Sequence, residues 1–254
     1  MHQPRLEVVL SPTEFPALAK RDLSQSVCVV FDILRATTSM ITALGSGARE
    51  IIPVAEIAEA LALRKERPDV LLAGERDGVR IRARLTGSID FDLGNSPREF
   101  TPEAVGGRTL VMSTTNGTRA LRACAGAKGT LVASFLNLRA TTNWLREKLP
   151  SSLLLVCSGT HEEPALEDIL AAGAACERLW PHYAGGHVSD SAELARRVYP
   201  LMQSNLLEAM KSARNGRRLF AHPELRDDVW MCVQRETVSF IAGLCPDGAI
   251  RRLS

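Results

Sequence analysis

The feature that most constrains the fold is a repeated alternation of short apolar runs with longer stretches of helical spacing. Six apolar runs predict buried strands at 27–31, 50–54, 70–73, 109–112, 130–133 and 153–157. Helical patterns follow five of them, at 36–44, 55–66, 117–124, 138–148 and 165–180. Repeated strand–helix units favour an α/β fold, with three α/β/α layers around a mainly parallel or mixed central sheet.

The remaining segments are expected to join the same core. A polar helical segment covers about 185–216, and two late strands are predicted within about 228–242, at 229–233 and 237–241. Residues 74–100 predict a long loop with one short hairpin, bracketed by GERDG and FDLGNSP. Loops of this length in compact domains are often functional. With 254 residues, 45% of them hydrophobic, the chain suits a single α/β domain over 1–254.

Composition and charge exclude several classes of partner. Aromatic residues make up only 5% and the net charge is +2 without a basic block, so we expect no nucleic-acid partner. The chain has neither an apolar run long enough to span a membrane nor the apolar stretch of a signal peptide. Six scattered cysteines without a CxxC pair indicate reduced thiols. These features predict a cytoplasmic protein without a membrane partner.

Polar side chains cluster directly after most of the predicted strands. Ligands of open parallel sheets bind outside the carboxyl ends of the strands, so we expect these side chains to share one edge. Hydroxyls, amides and glycines suit an oxyanion, and arginines add fixed positive charge. The candidates are Arg35, Thr37, Thr38, Arg76, Thr114, Thr115, Asn116, Gly117, Arg119, Ser158, Gly159 and Thr160. Helix capping explains any one of these positions equally well, but capping needs one residue per helix rather than a cluster.

Carboxylates at the same edge suggest a hard cation. Asp32 and Glu75 each close a predicted strand, and Glu167 and Asp168 lie in the first turns of the last long helix. Magnesium is bound by one or two carboxylates together with water and phosphate oxygens, so these four residues are candidate metal ligands. For Glu167 and Asp168, a favourable interaction with the helix dipole is the alternative.

Signatures of several other phosphate-handling enzymes are missing. A cysteine-phosphatase loop needs an arginine six residues after its cysteine, but Glu163 stands there after Cys157. After Cys28 the same position holds Leu34, which also breaks the Asp-x-Asp motif that a haloacid-dehalogenase phosphatase would need at Asp32. The chain has no Walker loop and no GxGxxG motif. We therefore do not expect Cys157 to be a nucleophile.

Seven sequence blocks, in order, resemble the signature blocks of the 2-phosphosulfolactate phosphatase family. They are VFDILRATTSMITAL, LLAGERDG, FDLGNSPREF, LVMSTTNGTRAL, ASFLNLRA, VCSGT and ALEDILAAGA, and they cover roughly residues 25–180. The resemblance implies a Mg²⁺-dependent acid phosphatase of coenzyme M biosynthesis that converts 2-phospho-3-sulfolactate to 3-sulfolactate and phosphate. The matching positions are Asp32, Arg35, Glu75, Arg76, Asn95, Thr114, Thr115, Asn116, Gly117, Gly159, Thr160, Glu167 and Asp168. A slight expansion at 86–89 bears on substrate choice more than on reaction type.

The sequence therefore predicts a Mg²⁺-dependent phosphatase for a small anionic phosphate ester, with Asp32 as its central group. Asp32 would act either as the nucleophile or as a metal ligand, and both roles stay open. The alternatives are a non-catalytic anion-binding or regulatory module and a phosphotransferase on the same scaffold. The carboxylates favour an enzyme. A homodimer is compatible with the sequence.

Overall fold

A computed structural model describes residues 3–253, and an 11-stranded sheet runs through them. Met1, His2 and Ser254, which the expected domain 1–254 includes, lie outside the described residues. The strands are β1 (Arg5–Val9), β2 (Ser26–Phe31), β3 (Glu50–Val54), β4 (Leu71–Arg76), β5 (Val79–Arg80), β6 (Thr109–Ser113), β7 (Gly129–Ala133), β8 (Ser152–Cys157), β9 (His187–Val188), β10 (Ala242–Leu244) and β11 (Ile250–Arg252).

Helices cover both faces of this sheet. They are α1 (Phe15–Leu18), α2 (Ala36–Gly45), α3 (Ile57–Glu66), α4 (Ala83–Thr86), α5 (Pro102–Val105), α6 (Gly117–Ala123), α7 (Leu138–Lys148), α8 (Leu166–Tyr183), α9 (Asp190–Met202), α10 (Leu206–Ser212), α11 (Arg214–Phe220) and α12 (Arg226–Cys232). All six predicted early strands and the five helices after them are present, and the three-layer α/β/α fold is confirmed.

The central strands are apolar throughout because both of their faces are buried. In β2, Val29 and Phe31 pack against α7 and α8, whereas Cys28 and Val30 pack on the opposite side against α2. Side chains alternate between faces along a strand, so a strand with two covered faces needs an unbroken apolar run. A third, smaller core lies under α3, where Ala60 packs with residues of β3, β4 and β6.

The sheet consists of two parallel blocks joined by an antiparallel hairpin. Its order is β5-β4-β6-β3-β11-β10-β7-β2-β8-β1-β9, with β4, β6 and β3 in one block and β7, β2, β8, β1 and β9 in the other. The three pairings that connect the blocks are all antiparallel, so the blocks run in opposite senses. A twist of roughly 20–25° per strand accumulates to roughly 100–125° over the five steps from β6 to β2. Residues that follow strands of both blocks line one cleft.

The late part of the chain differs from its prediction. The segment 229–233 belongs mostly to helix α12 rather than to a strand, and 237–241 precedes β10 without forming a strand itself. Val229 and Cys232 are buried, one helical turn apart, and they pack against the core of β2 and β8. A short apolar run such as VWMCV cannot be distinguished from a buried helix by its period alone. Strand β1, which lies between β8 and the edge strand β9, and the hairpin β10–β11 were not predicted.

Two other expectations match the structure. The predicted hairpin in 74–100 is the pairing of β4 with β5, in which Glu75 faces Arg80 across the ladder. The polar segment 185–216 is mainly helical, as α9, α10 and the start of α11, although it begins with the short strand β9. None of the helices in residues 3–253 is long and apolar enough to cross a membrane.

Candidate active site

The ends of strands from both blocks meet around one cleft. Glu75 lies near the end of β4, and its Oε1 accepts hydrogen bonds from the backbone N–H and the hydroxyl of Thr115, both at 2.9 Å. Asp32 follows β2 in the other block, and a Cβ built on Gly117 would lie 3.1 Å from Asp32 Oδ2. Asp32, Glu75 and Thr115 all line the cleft. The strand ends therefore share one site, as predicted, although the sheet is not parallel throughout.

Asp32 is held by the turn that leads into α2. Its Oδ1 accepts a hydrogen bond from the Ala36 N–H at 3.1 Å, and its own N–H donates to the Thr37 hydroxyl at 3.0 Å. Burial raises the pKa of Asp32 to about 6, and the nearby charges of Glu75 and Glu167 add to this effect. The carboxylate is therefore ionised at neutral pH, although its charge is only weakly solvated.

Asp168 cross-links the turns after β2 and β8. Its Oδ1 accepts from the Ile33 N–H at 2.8 Å, and its Oδ2 accepts from the Gly159 N–H at 3.0 Å and the Ser158 hydroxyl at 3.2 Å. Burial, followed by the charges of Asp32 and Glu167, raises the pKa of Asp168 well above its ordinary value. With both oxygens occupied by donors from this chain, Asp168 positions the two turns.

Glu167 is buried but less completely bonded. Asn215 Nδ2 donates to Glu167 Oε1 at 2.7 Å, whereas Oε2 has no hydrogen-bond partner. Burial raises the pKa of Glu167, and the Asn215 hydrogen bond and the positive charges of Arg214 and Arg218 oppose that shift. A buried oxygen without a hydrogen-bond partner is uncommon in native proteins. A cation bound beside Glu167 Oε2 would supply the missing interaction.

The predicted arginines are placed very differently. Arg35 lines the cleft, but its guanidinium forms a buried 2.5 Å ion pair with Asp228 and also donates to the Gly78 carbonyl. Arg76 donates to the Ala55 carbonyl and to the Ser113 hydroxyl. Arg119 is half exposed and paired with Glu162 at 2.9 Å. The structure thus brings only Arg35 to the cleft.

The predicted hydroxyl and amide residues divide into two groups. Those that line the cleft are Asn95, Thr114, Thr115, Asn116 and Thr160. Thr37, Thr38 and Ser158 instead donate to the Asp32 carbonyl, the Ile33 carbonyl and Asp168, respectively, so they shape the surrounding turns.

Both predicted glycines are required by close contacts. A Cβ on Gly117 would lie within 3.1 Å of both Ala36 and Asp32, and at Gly159, where φ is +62°, it would overlap Pro12 and the Glu163 carbonyl. A side chain at Gly117 would therefore push against the central carboxylate of the site.

Several lining residues were not predicted from sequence. They are Leu34, Asp77, Gly78, His161, Asn215, Arg218 and Leu219. Asn215, Arg218 and Leu219 occupy i, i+3 and i+4 of α11 and therefore form one face of that helix. The available signal was Asn215-Gly216, two weak helix formers inside a predicted helical stretch. We call α11 the helix wall of the cleft, and the turns after β2, β4, β6 and β8 the strand wall.

The four candidate metal ligands are not equally available to a cation. Within residues 3–253, no group of three or more His, Cys, Asp or Glu residues is arranged to hold a metal ion. Asp168 and Glu75 accept hydrogen bonds on both of their oxygens. Unpartnered buried oxygens remain on Glu167, Asn95 and Asn116. This donor set fits Mg²⁺ held by one or two carboxylates, with water and a phosphate completing its shell.

Comparison with known proteins identifies the family. The family model for 2-phosphosulpholactate phosphatase matches residues 13–245. Proteins named "Probable 2-phosphosulfolactate phosphatase" include one from Thermotoga petrophila, 40% identical over 76% of this chain and 78% of its own. Another, from Caldanaerobacter subterraneus subsp. tengcongensis, is 38% identical over 81% of this chain and 82% of its own, and one from Clostridium novyi is 30% identical over 93% and 95%. The chain therefore belongs to the 2-phosphosulfolactate phosphatase family and is a phosphoric monoester hydrolase.

Proposed function

We propose that this protein is a Mg²⁺-dependent phosphatase that hydrolyses 2-phospho-3-sulfolactate, or a closely related phosphorylated 2-hydroxy acid, to the free hydroxy acid and phosphate. The observation that carries the proposal is the meeting of Asp32 and Glu75 with Thr and Asn donors at one cleft, with the charge of the buried Glu167 near enough to raise the pKa of Asp32. A site that only bound anions would be weakened by three carboxylates, because like charges repel the ligand. A phosphatase uses such carboxylates for its metal and its nucleophile.

The residues of the strand wall would have different roles in binding phosphate and metal. Thr114 and Asn116 lie directly before α6 and would supply hydroxyl, amide and backbone donors to the phosphate oxygens. Asp32 and the unpartnered Glu167 Oε2 would hold Mg²⁺, which supplies charge neutralisation for the phosphate. Glu75 accepts hydrogen bonds from both the N–H and the hydroxyl of Thr115 and thereby fixes the turn that presents Thr114 and Asn116.

Asp32 is the residue on which turnover should depend. An ionised carboxylate is needed whether Asp32 attacks phosphorus or binds the metal, and its pKa of about 6 leaves it ionised at neutral pH. Acid quenching of a turning-over sample separates the two roles. A trapped aspartyl-phosphate at Asp32 would establish the nucleophile, and direct attack by water would leave none.

Phosphate release tests the proposed function directly. The purified protein would be assayed against 2-phosphosulfolactate, 2-phospholactate and phosphoglycolate, before and after exhaustive chelation and with Mg²⁺ restored. We expect turnover that disappears on chelation and returns with Mg²⁺. Full activity after chelation would remove the metal from the proposal, and no activity on any 2-hydroxy acid phosphate would overturn the substrate class.

The cellular setting belongs to the same proposal. All six cysteines are free, and five of them are buried, which suits the reducing cytoplasm. The product 3-sulfolactate would then enter coenzyme M biosynthesis, the route that the resemblance implies. A homodimer stays a prediction, which light scattering on the purified protein would test.

A further inference from the structure

Arg218 differs from the other positive side chains near the cleft. It lines the cleft, it is exposed, and no ion pair among the described residues includes it. Arg35, the other arginine in the lining, is neutralised by the fully buried Asp228. Arg218 therefore offers the cleft a positive charge that no carboxylate of residues 3–253 already pairs.

The position of Arg218 is fixed by the residues one turn before it. Arg214 donates to the Thr160 carbonyl at 3.0 Å and pairs with Glu163, so the start of α11 is attached to the turn after β8. Asn215 donates to both Thr160 and Glu167 in the same region. Arg218 lies at i+4 from Arg214 and is thus held above the cleft, opposite the strand wall.

Arg218 also lies over the tip of the β4–β5 hairpin. A Cβ on Gly78 would be 3.2 Å from Arg218 Nη2, so the guanidinium approaches the turn at the residue that has no side chain. The Gly78 N–H donates to Glu75 Oε2 at 2.7 Å, and its carbonyl accepts from Arg35. A ligand group beside Arg218 would therefore be close to, but separate from, the phosphate donors that Glu75 orients.

We propose that Arg218 binds the acidic group of the substrate that is not transferred, a sulfonate or carboxylate, and thereby determines which phosphate esters the enzyme accepts. The inference rests on the proposed function. Its physical basis is that a substrate with two or three anionic groups enters a cleft already lined by Asp32, Glu75 and Asp77. The second anion needs its own cation, and a free guanidinium matches a planar or tetrahedral oxyanion with two parallel hydrogen bonds.

A graded substrate series tests the assignment. Values of kcat/KM would be measured for 2-phosphosulfolactate, 2-phospholactate and glycerol 2-phosphate, which carry two, one and no additional acidic groups. For Arg218→Gln we expect kcat/KM on 2-phosphosulfolactate to fall about 10- to 100-fold further than on glycerol 2-phosphate. Arg218→Lys should recover only part of this selectivity, because lysine keeps the positive charge but cannot donate two parallel hydrogen bonds to one oxyanion.

Arg217→Gln is the matched control. Arg217 is the residue next to Arg218, but its guanidinium donates to the Ser212 carbonyl and does not line the cleft. An equal loss on all three substrates would place Arg218 on the phosphate and overturn the inference, as would no loss at all. Calorimetric binding of 3-sulfolactate to wild type and Arg218→Gln is the second readout. If wild type hydrolyses none of the three esters, the proposed function fails, and equal 3-sulfolactate affinities would then overturn the role of Arg218 separately.

Discussion

The strand wall and the helix wall of the cleft hold their polar groups in different ways. Asp32 and Asp168, on the strand side, are almost fully buried and bonded to backbone N–H groups of adjacent turns. Arg218, on the helix side, is exposed, and α11 is attached to the strands by side chains such as Asn215. Backbone anchoring on strand ends gives the precision that chemistry needs, whereas side-chain anchoring on a separate helix allows substrate preference to change independently.

Asp32→Asn should have the largest effect on activity. The change removes the central charge of the strand wall but keeps an oxygen for the Ala36 N–H, so the turn into α2 should survive. We expect kcat to fall by at least about 10³-fold, with the melting temperature unchanged or raised. Steady-state kinetics and thermal unfolding of the same preparation check this. A folded variant with near wild-type turnover would contradict the central role of Asp32.

Asp228→Asn should have the largest effect on the free energy of unfolding, because Asp228 attaches α12 to the rest of the protein. Asp228 accepts hydrogen bonds from Arg35, Arg98 and Ser96, and loss of its charge leaves Arg35 buried without a counterion. Breaking a buried ion pair from one side costs about 3–5 kcal/mol in the free energy of unfolding. Chemical denaturation measures this loss.

The neighbouring Asp227→Asn is the control for that experiment. The Asp227 side chain is 78% exposed and lies 3.4 Å from Arg98, a geometry in which ion pairs contribute about 1 kcal/mol or less. Similar losses in the two variants would mean that burial of the Arg35–Asp228 pair is not what attaches α12.

The raised pKa of Asp32 should appear in the pH dependence of stability. Because its folded-state pKa of about 6 exceeds the ordinary value of 3.8, the folded state favours the protonated form. The contribution of Asp32 to the free energy of unfolding is fully present below about pH 4. It is lost as the pH rises through about 6, a difference of about 3 kcal/mol. Wild type and Asp32→Asn, both metal-free, should therefore differ in the slope of unfolding free energy between these pH values. Parallel curves would show that burial does not disfavour the Asp32 charge.

Cys157→Ser should have the smallest effect on activity. Burial raises the pKa of the Cys157 thiol well above its ordinary value, so no reactive thiolate forms at the end of β8. We expect kcat to stay within about twofold of wild type, while the buried hydroxyl lowers the unfolding free energy by about 1–3 kcal/mol. Loss of turnover in a folded variant, together with a phosphocysteine in wild type, would contradict the metal-dependent mechanism.

The strand wall could be predicted because its residues directly follow apolar strands. Arg76 could have been assigned better from the same pattern, since Glu75 and Arg76 are consecutive in β4 and must face opposite sides. Arg218 could not be predicted, because its position depends on how α11 packs against a distant turn. Strand ends line one cleft as expected, although Asp32 and Glu75 come from blocks that run in opposite senses within the mixed sheet.

The hairpin β10–β11 has a consequence for the order in which the protein can become active. In the part of the chain that the structure describes, it provides the only strand pairing between the two blocks, and it is built from residues 242–252. Asp32, Glu75, Thr115 and Glu167 all leave the ribosome long before it does. Each block can begin to form during synthesis, but the cleft between them is completed only when the last dozen or so residues have emerged. A nascent or C-terminally truncated chain would thus hold every candidate site residue and still lack the strand pairing that aligns the two blocks.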